Sequence, residues 1–361
     1  MSKTKLFLFS LVAVALMFSL LELAARVVLS CKMRSSRYLL YGVADTGKEK
    51  IRIIKGSNGR MLYCEGVPSP HRRNPVNRLG FRGGEVKPEK GKAIRIVCLG
   101  SSTTYGTGLD YDETYPKLLQ DKLNRRFGKD RFEVVNAGQP GLNLTHIVEL
   151  VKHKVITLSP DMVILMNLNN NLAAPGFSFV GINLEQGAGW NSKVKNYMVK
   201  HLALGSLVCD AMANFIGSPV ARFFRRFDWQ GFAGALMSPD NIWQANYEES
   251  ARTIIDLLVR HNPGVRILIM DEVFNYDMYP SMDQPYARAQ EILRRACLAS
   301  KNARMLSGRS AIISAYHRGE PVWQNPSWDP LHLSGRGNEI LADLLAKEIA
   351  GMVNNERPHP E

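Results

Sequence analysis

The chain lacks the paired cysteines that staple small secreted domains or hold zinc. Its 5 cysteines (Cys31, Cys64, Cys98, Cys209 and Cys297) are scattered, odd in number and free of any C-x-x-C pair, which argues against a disulfide framework and a zinc site. Cys98, inside an apolar run, reads as a buried thiol. A phosphate-binding glycine loop, a metal-ligand cluster and a nucleic-acid-binding module are also missing, so no cofactor, no metal and no nucleic-acid partner is expected. The formal charge of +13 does not change this, because it is concentrated: residues 31–92 hold 15 Lys/Arg against 5 Asp/Glu, directly behind an apolar N-terminus. A stretch facing water or lipid headgroups accounts for that placement.

One long apolar run is present. Leu6–Leu21 carries no charge, and Leu23-Ala24-Ala25 and Val27-Val28-Leu29 continue it past Glu22 and Arg26, which are spaced to pair on one helix face. The stretch is long enough for a bilayer core of about 30 Å at 1.5 Å per residue, so an uncleaved N-terminal transmembrane helix is expected. A cleaved signal peptide would want a small-x-small site that does not stand out. Val28-Leu29-Ser30-Cys31 loosely matches a lipobox, against which Arg26 weighs. Lys3 and Lys5 place the N-terminus in the cytoplasm, whereas Lys32, Arg34 and Arg37 pull the other way, so charge alone leaves the orientation open.

Residues 31–92 show little regular periodicity and read as an extended connector that packs on the next domain. From Ala93 strand and helix patterns alternate. Strands are expected at Ile94–Leu99, Phe132–Val135, Met162–Met166 and Val265–Met270, and helices at Thr114–Phe127 and near Leu144–Ile156, Tyr247–His261, Tyr286–Ser300 and Gly335–Met352. That order implies a parallel sheet covered on both faces, with the site outside the carboxyl ends of the strands. The gap 172–243 is too long for a plain connection and reads as a lid-like insertion. It holds an amphipathic stretch at Val194–Ile216 and the basic-aromatic segment Arg222–Trp229, whose aromatics fill a small core of their own, line an acyl cleft or touch the membrane interface.

Gly100-Ser101-Ser102-Thr103 follows the first of these strands, and Asp329-Pro330-Leu331-His332 precedes the last helix. A serine at a strand tip, a histidine and an aspartate are the three parts that serine hydrolysis needs. Asn136-Ala137-Gly138-Gln139-Pro140-Gly141 and Asn169-Asn170-Asn171 fall at the ends of two further strands. Asn143-Leu144-Thr145 fits a glycosylation sequon but sits at a helix start, His146 and His153 face solvent or packing, and Ser334 reads as a helix N-cap.

With these four blocks in this order, most of residues 93–352 resembles the SGNH (GDSL) hydrolase family. The resemblance implies an α/β class, a three-layer α/β/α sandwich with a mainly parallel, flavodoxin-like sheet. It makes Ser102 the nucleophile, His332 the base and Asp329 its orienter, with an oxyanion hole from Ser102, Gly141 and Asn170. Gly138 is the alternative to Gly141 as donor. Ser101 stands where the family usually has Asp, and Asn169 and Asn171 replace the usual neighbours of the third-block Asn. The implied architecture is a membrane anchor at 1–30, a basic connector at 31–92, and a hydrolase domain at 93–356 carrying the 172–243 insertion. The implied activity is hydrolysis or transfer of ester-linked acyl groups, with O-acetyl groups of a cell-surface glycan as substrate. The membrane would be a partner through the N-terminal helix and connector, and the catalytic domain would be extracytoplasmic. A lipid esterase or thioesterase, or a silent glycan- or partner-binding module, are the other readings.

Overall fold

The computed structural model describes residues 3–32, 50–56, 59–65, 75–77, 79–87, 89–140, 142–168, 228–238, 243–327 and 329–354. The chain divides into two units, Met1–Lys48 with Ile182–Arg225, and Glu49–Gly181 with Arg226–Glu361. In the first, α1 (Lys3–Lys32) is a single helix of 30 residues. Phe9, Val12, Val14, Leu16, Met17, Phe18, Leu20, Leu21 and Leu23 are all exposed, so apolar side chains face outward all round it. Among the described residues no helix is long and apolar enough to cross a membrane, so the expected transmembrane span finds no support there.

The second unit opens with a hairpin where sequence periodicity predicts only an extended connector. Strands β1 (Lys50–Gly56) and β2 (Gly59–Glu65) pair antiparallel from Lys50 opposite Glu65 to Gly56 opposite Gly59. The sheet that follows is fully parallel among the described residues. It holds β3 (Ile94–Gly100), β4 (Phe132–Asn136), β5 (Met162–Met166), β6 (Arg266–Met270) and β7 (Ala303–Leu306), in the order β4-β3-β5-β6-β7. Between and after these strands lie α2 (Ser102–Tyr105), α3 (Tyr115–Phe127), α4 (Leu144–Leu150), α5 (Trp229–Met237), α6 (Trp243–His261), α7 (Asp283–Leu298), α8 (Arg309–His317) and α9 (Gly335–Asn354).

Successive strand side chains point to opposite faces, and here both faces are covered. Ile96, Cys98, Val134, Ile164, Met166, Leu268 and Met270 pack with Leu119 and Leu123 of α3, Ile312 of α8, and Leu341, Leu345 and Ile349 of α9. The alternate residues Val97, Leu99, Val135, Val163, Leu165, Ile267 and Ile269 are equally buried. They face the side of α4, α6 and α7, where Ile147, Ile254, Ile255 and Ile292 are buried too. The result is the expected three-layer α/β/α arrangement, with the three inner strands β3, β5 and β6 sealed in apolar side chains on both sides.

The predicted strands appear within a residue of their expected ends, whereas β7, α5 and α8 were not expected. β7 is four residues long and only partly buried, which leaves it without a clear pattern. The helix after Asn143 runs as α4, widens through a π turn at Val151–Val155 and then tightens into a 3-10 turn at Ile156–Leu158. Its start is capped by Asn143, whose Oδ1 accepts from the His146 N–H at 3.0 Å, so the sequon asparagine serves the helix. The amphipathic stretch at 194–216 and residues 222–227 lie outside the described residues. Trp229 lies buried against Tyr279 and Phe274, as a core-filling aromatic does.

Candidate active site

In a sheet of this order, β3 is followed by a crossover to one side and β5 lies on the other, which leaves a crevice at the carboxyl end of β3. Gly100 ends that strand. A Cβ there would collide with the Thr104 hydroxyl and the Met166 carbonyl, so only glycine lets α2 fold back against the strand tip. Ser101 precedes α2, Ser102 is its first residue, and Gly106 (φ +80°) closes it. The neighbours Ser101, Thr103 and Thr104 are buried while Ser102 is only partly so, which leaves its Oγ within reach of a substrate. As first helical residue, Ser102 has an N–H outside the intrahelical ladder.

His332 arrives from the loop before α9. Its Nε2 lies 3.0 Å from Ser102 Oγ, and its Nδ1 lies 2.9 Å from Asp329 Oδ2. Asp329 Oδ1 accepts from the N–H groups of Leu331 (3.0 Å) and His332 (3.1 Å), so both carboxylate oxygens are held in place. The loop is tied down at three more points. The Gln324 N–H donates to the His332 carbonyl at 3.0 Å, the Asp329 N–H to Asn325 at 2.9 Å, and the Asn275 N–H to the Pro330 carbonyl at 2.9 Å. Ser334 accepts from the Gly337 N–H at 3.3 Å, the cap expected of it.

Electrostatics follow from this geometry. Burial alone would raise the Asp329 carboxyl. The adjoining His332, its hydrogen bond and the two N–H donors outweigh that and hold it below the usual carboxylate range. For His332 burial works to lower the pKa, but the Asp329 charge and hydrogen bond, with a further contribution from Glu272, leave it above the ordinary value. Burial pushes the Cys98 thiol up, which keeps it a neutral core residue.

Of the three expected oxyanion donors, only Ser102 is among the described residues. Gly141 and Asn170 lie outside the described residues. Their described neighbours are drawn to one edge: Asn167 Nδ2 donates to the Leu142 carbonyl at 2.7 Å, and the Leu168 N–H donates to Glu272 Oε2 at 2.7 Å. The alternative donor Gly138 has its N–H engaged with Asn136 Oδ1 at 3.1 Å. Its glycine serves packing, since a Cβ would strike the backbone of Thr104 and Tyr105.

Two residues that sequence reasoning passed over shape the site. Glu272 is buried and accepts from Ser101 Oγ at 3.2 Å and from Thr103 Oγ1. Arg82, also buried, donates to the carbonyls of Tyr105 (2.6 Å), Gly106 (2.7 Å) and Leu109 (2.5 Å), clamping the chain just after the serine. The signal for Glu272 was present as a carboxylate two residues past an apolar strand, where open α/β sheets place their sites. Arg82 gave none, because it sits among many other basic residues. Among the described residues no group of three His, Cys, Asp or Glu side chains is placed to hold a metal ion.

No protein-family model and no curated protein matches the chain. Solved structures that resemble it include an alpha/beta hydrolase enzyme from the metagenome of Lake Arreo, Spain, at 16% identity and a TM-score of 0.45, covering 72% of this chain and 97% of that one. A catalytic mutant of an acetylxylan esterase from Geobacillus stearothermophilus has 15% identity and a TM-score of 0.44 over 72% and 96%. A protein assigned as a GDSL-like lipase from Parabacteroides merdae has 14% identity and a TM-score of 0.43 over 73% and 99%. Likenesses of this size carry no conclusion about activity, and what the site can do rests on its own geometry.

Proposed function

We propose that this chain is an SGNH-type serine esterase or acyltransferase acting through an acyl-enzyme on Ser102. The supporting observation is the unbroken hydrogen-bonded chain Ser102–His332–Asp329 at the carboxyl end of β3. Ser102 Oγ attacks the acyl carbonyl while its proton passes to His332 Nε2, and Asp329 supports the imidazolium that forms. The oxyanion of the tetrahedral intermediate is met by the N–H groups of Ser102 and Gly141 and by the Asn170 amide. His332 then protonates the departing alcohol. Water or a sugar hydroxyl, deprotonated in turn by His332, takes the acyl group from Ser102.

The proposed substrate class is O-acetyl groups of a cell-surface carbohydrate. This fits residues 93–356, completed by the segment 75–91, as a hydrolase domain with its 172–243 insertion, held at an extracytoplasmic membrane face by an anchor at 1–30 and the basic residues that follow it. The test uses the full chain in mild detergent, a fluorophosphonate probe, and p-nitrophenyl acetate, butyrate and octanoate, beside Ser102→Ala. Labelling and acetate-preferring turnover are expected, with turnover down on the order of 10⁴-fold or more in Ser102→Ala. A preference for octanoate would replace the carbohydrate substrate with a lipid one. Absence of labelling in folded protein would sink the hydrolase reading and leave a binding module.

A further inference from the structure

Glu272 stands two residues beyond β6, yet its contacts lie on the two strands before it in the sheet order. One oxygen accepts from Ser101 Oγ and Thr103 Oγ1, the residues either side of Ser102, and the other from the Leu168 N–H beyond β5. The ends of β3, β5 and β6 are therefore tied through one carboxylate that is 2% exposed. An ionised carboxylate accepts only, and three donors converge on it, which is the environment that keeps such a charge buried. Its neighbour Asp271 is directed elsewhere, accepting from Gln290 (2.7 Å), Ser307 (2.6 Å) and the Gly308 N–H (2.8 Å) at the start of α8.

We propose that Glu272 is a positioning residue of the Ser102 site, clamping the residues on both sides of the nucleophile and adding a second negative charge in support of the His332 imidazolium. This rests on reading Ser102 as the nucleophile. Among the described residues, the charged and titratable groups facing this region include His332 and Asp329 from the loop before α9, Tyr115 from α3, Tyr247 from α6 and Tyr286 from α7. Burial drives all three tyrosines far above the ordinary range, so they stay neutral. The charges acting on His332 are Asp329 and, more weakly, Glu272.

Glu272→Gln keeps the shape and removes the charge, since the Ser101 and Thr103 hydroxyls can turn to accept from the new amide. Glu272→Asp keeps the charge and shortens its reach. In the full chain with isotope-labelled histidine, the His332 ring titration should move to lower pH in Glu272→Gln and stay near wild type in Glu272→Asp. The acid limb of kcat/KM should follow, and kcat in Glu272→Gln should fall on the order of 10-fold with KM nearly unchanged, below the 10²- to 10⁴-fold of acid–base catalysis as a whole. An unchanged His332 titration in folded Glu272→Gln would overturn the proposal and reduce Glu272 to a packing residue. The titration needs no turnover, so loss of the hydrolase reading would show separately, as a wild type that neither labels nor turns over.

Discussion

At the scale of single residues the site is a set of opposed environments. Asp329 is driven toward ionisation by its donors in spite of burial, and His332 toward protonation by the carboxylates near it. Neutral His332 is the form that accepts the Ser102 proton. Activity should therefore fall as pH drops through a His332 pKa that lies above the ordinary 6.5. Asp329→Asn removes the charge that raises it, so the acid limb should move to lower pH while kcat falls about 10⁴-fold, as in other triads. A pH–rate profile of that variant, with the limb unmoved, would contradict the assignment. Stability is linked in the same way. The depressed Asp329 pKa contributes stability that is lost as pH falls through its folded value. The raised His332 pKa contributes stability present below 6.5 and lost as pH rises through its folded value.

At the scale of elements, the segment 75–91 behaves as part of the core. Phe81 is fully buried, and Val76 and Asn136 each bridge to Arg82, whose guanidinium satisfies three carbonyls after α2. Asn77 closes the turn through its Oδ1, which accepts from the N–H groups of Leu79 and Phe81 at 3.0 Å. Removing this segment would expose apolar surface worth about 1.5–3 kcal/mol at Phe81 alone and leave buried carbonyls unpaired at about 1–3 kcal/mol each. A chain beginning at residue 93 should therefore melt far below one beginning at residue 75, or fail to fold. Equal melting temperatures by circular dichroism would refute this. The basic residues of 31–92 thus do not share one role, because Arg82 works inside the domain.

At the scale of the whole molecule, the surface of α1 stands apart from that of the sheet domain. Exposed apolar side chains on every side of one helix want an apolar medium or a partner, since water leaves each of them unburied. With the membrane reading, the full chain should stay with the membrane pellet through alkaline carbonate extraction, and a chain lacking residues 1–30 should not. Release of the full chain into the supernatant would remove the anchor from the proposal.

The alternation of apolar strands with amphipathic helices was legible in the chain itself, because a period of 2 against 3.6 is written locally. So were Ser102, Asp329 and His332, since each follows a short local pattern beside a predicted element. Other features had no local mark. The hairpin at Lys50–Glu65, the edge strand β7, the carbonyl clamp of Arg82 and the Glu272 carboxylate beneath the serine all depend on groups far apart in sequence. Ser101 and Glu272 are 171 positions apart, and Ser102 and His332 are 230. Only the order of the strands in the sheet decides that such pairs meet, because strand order follows from long-range packing and not from any window of the chain.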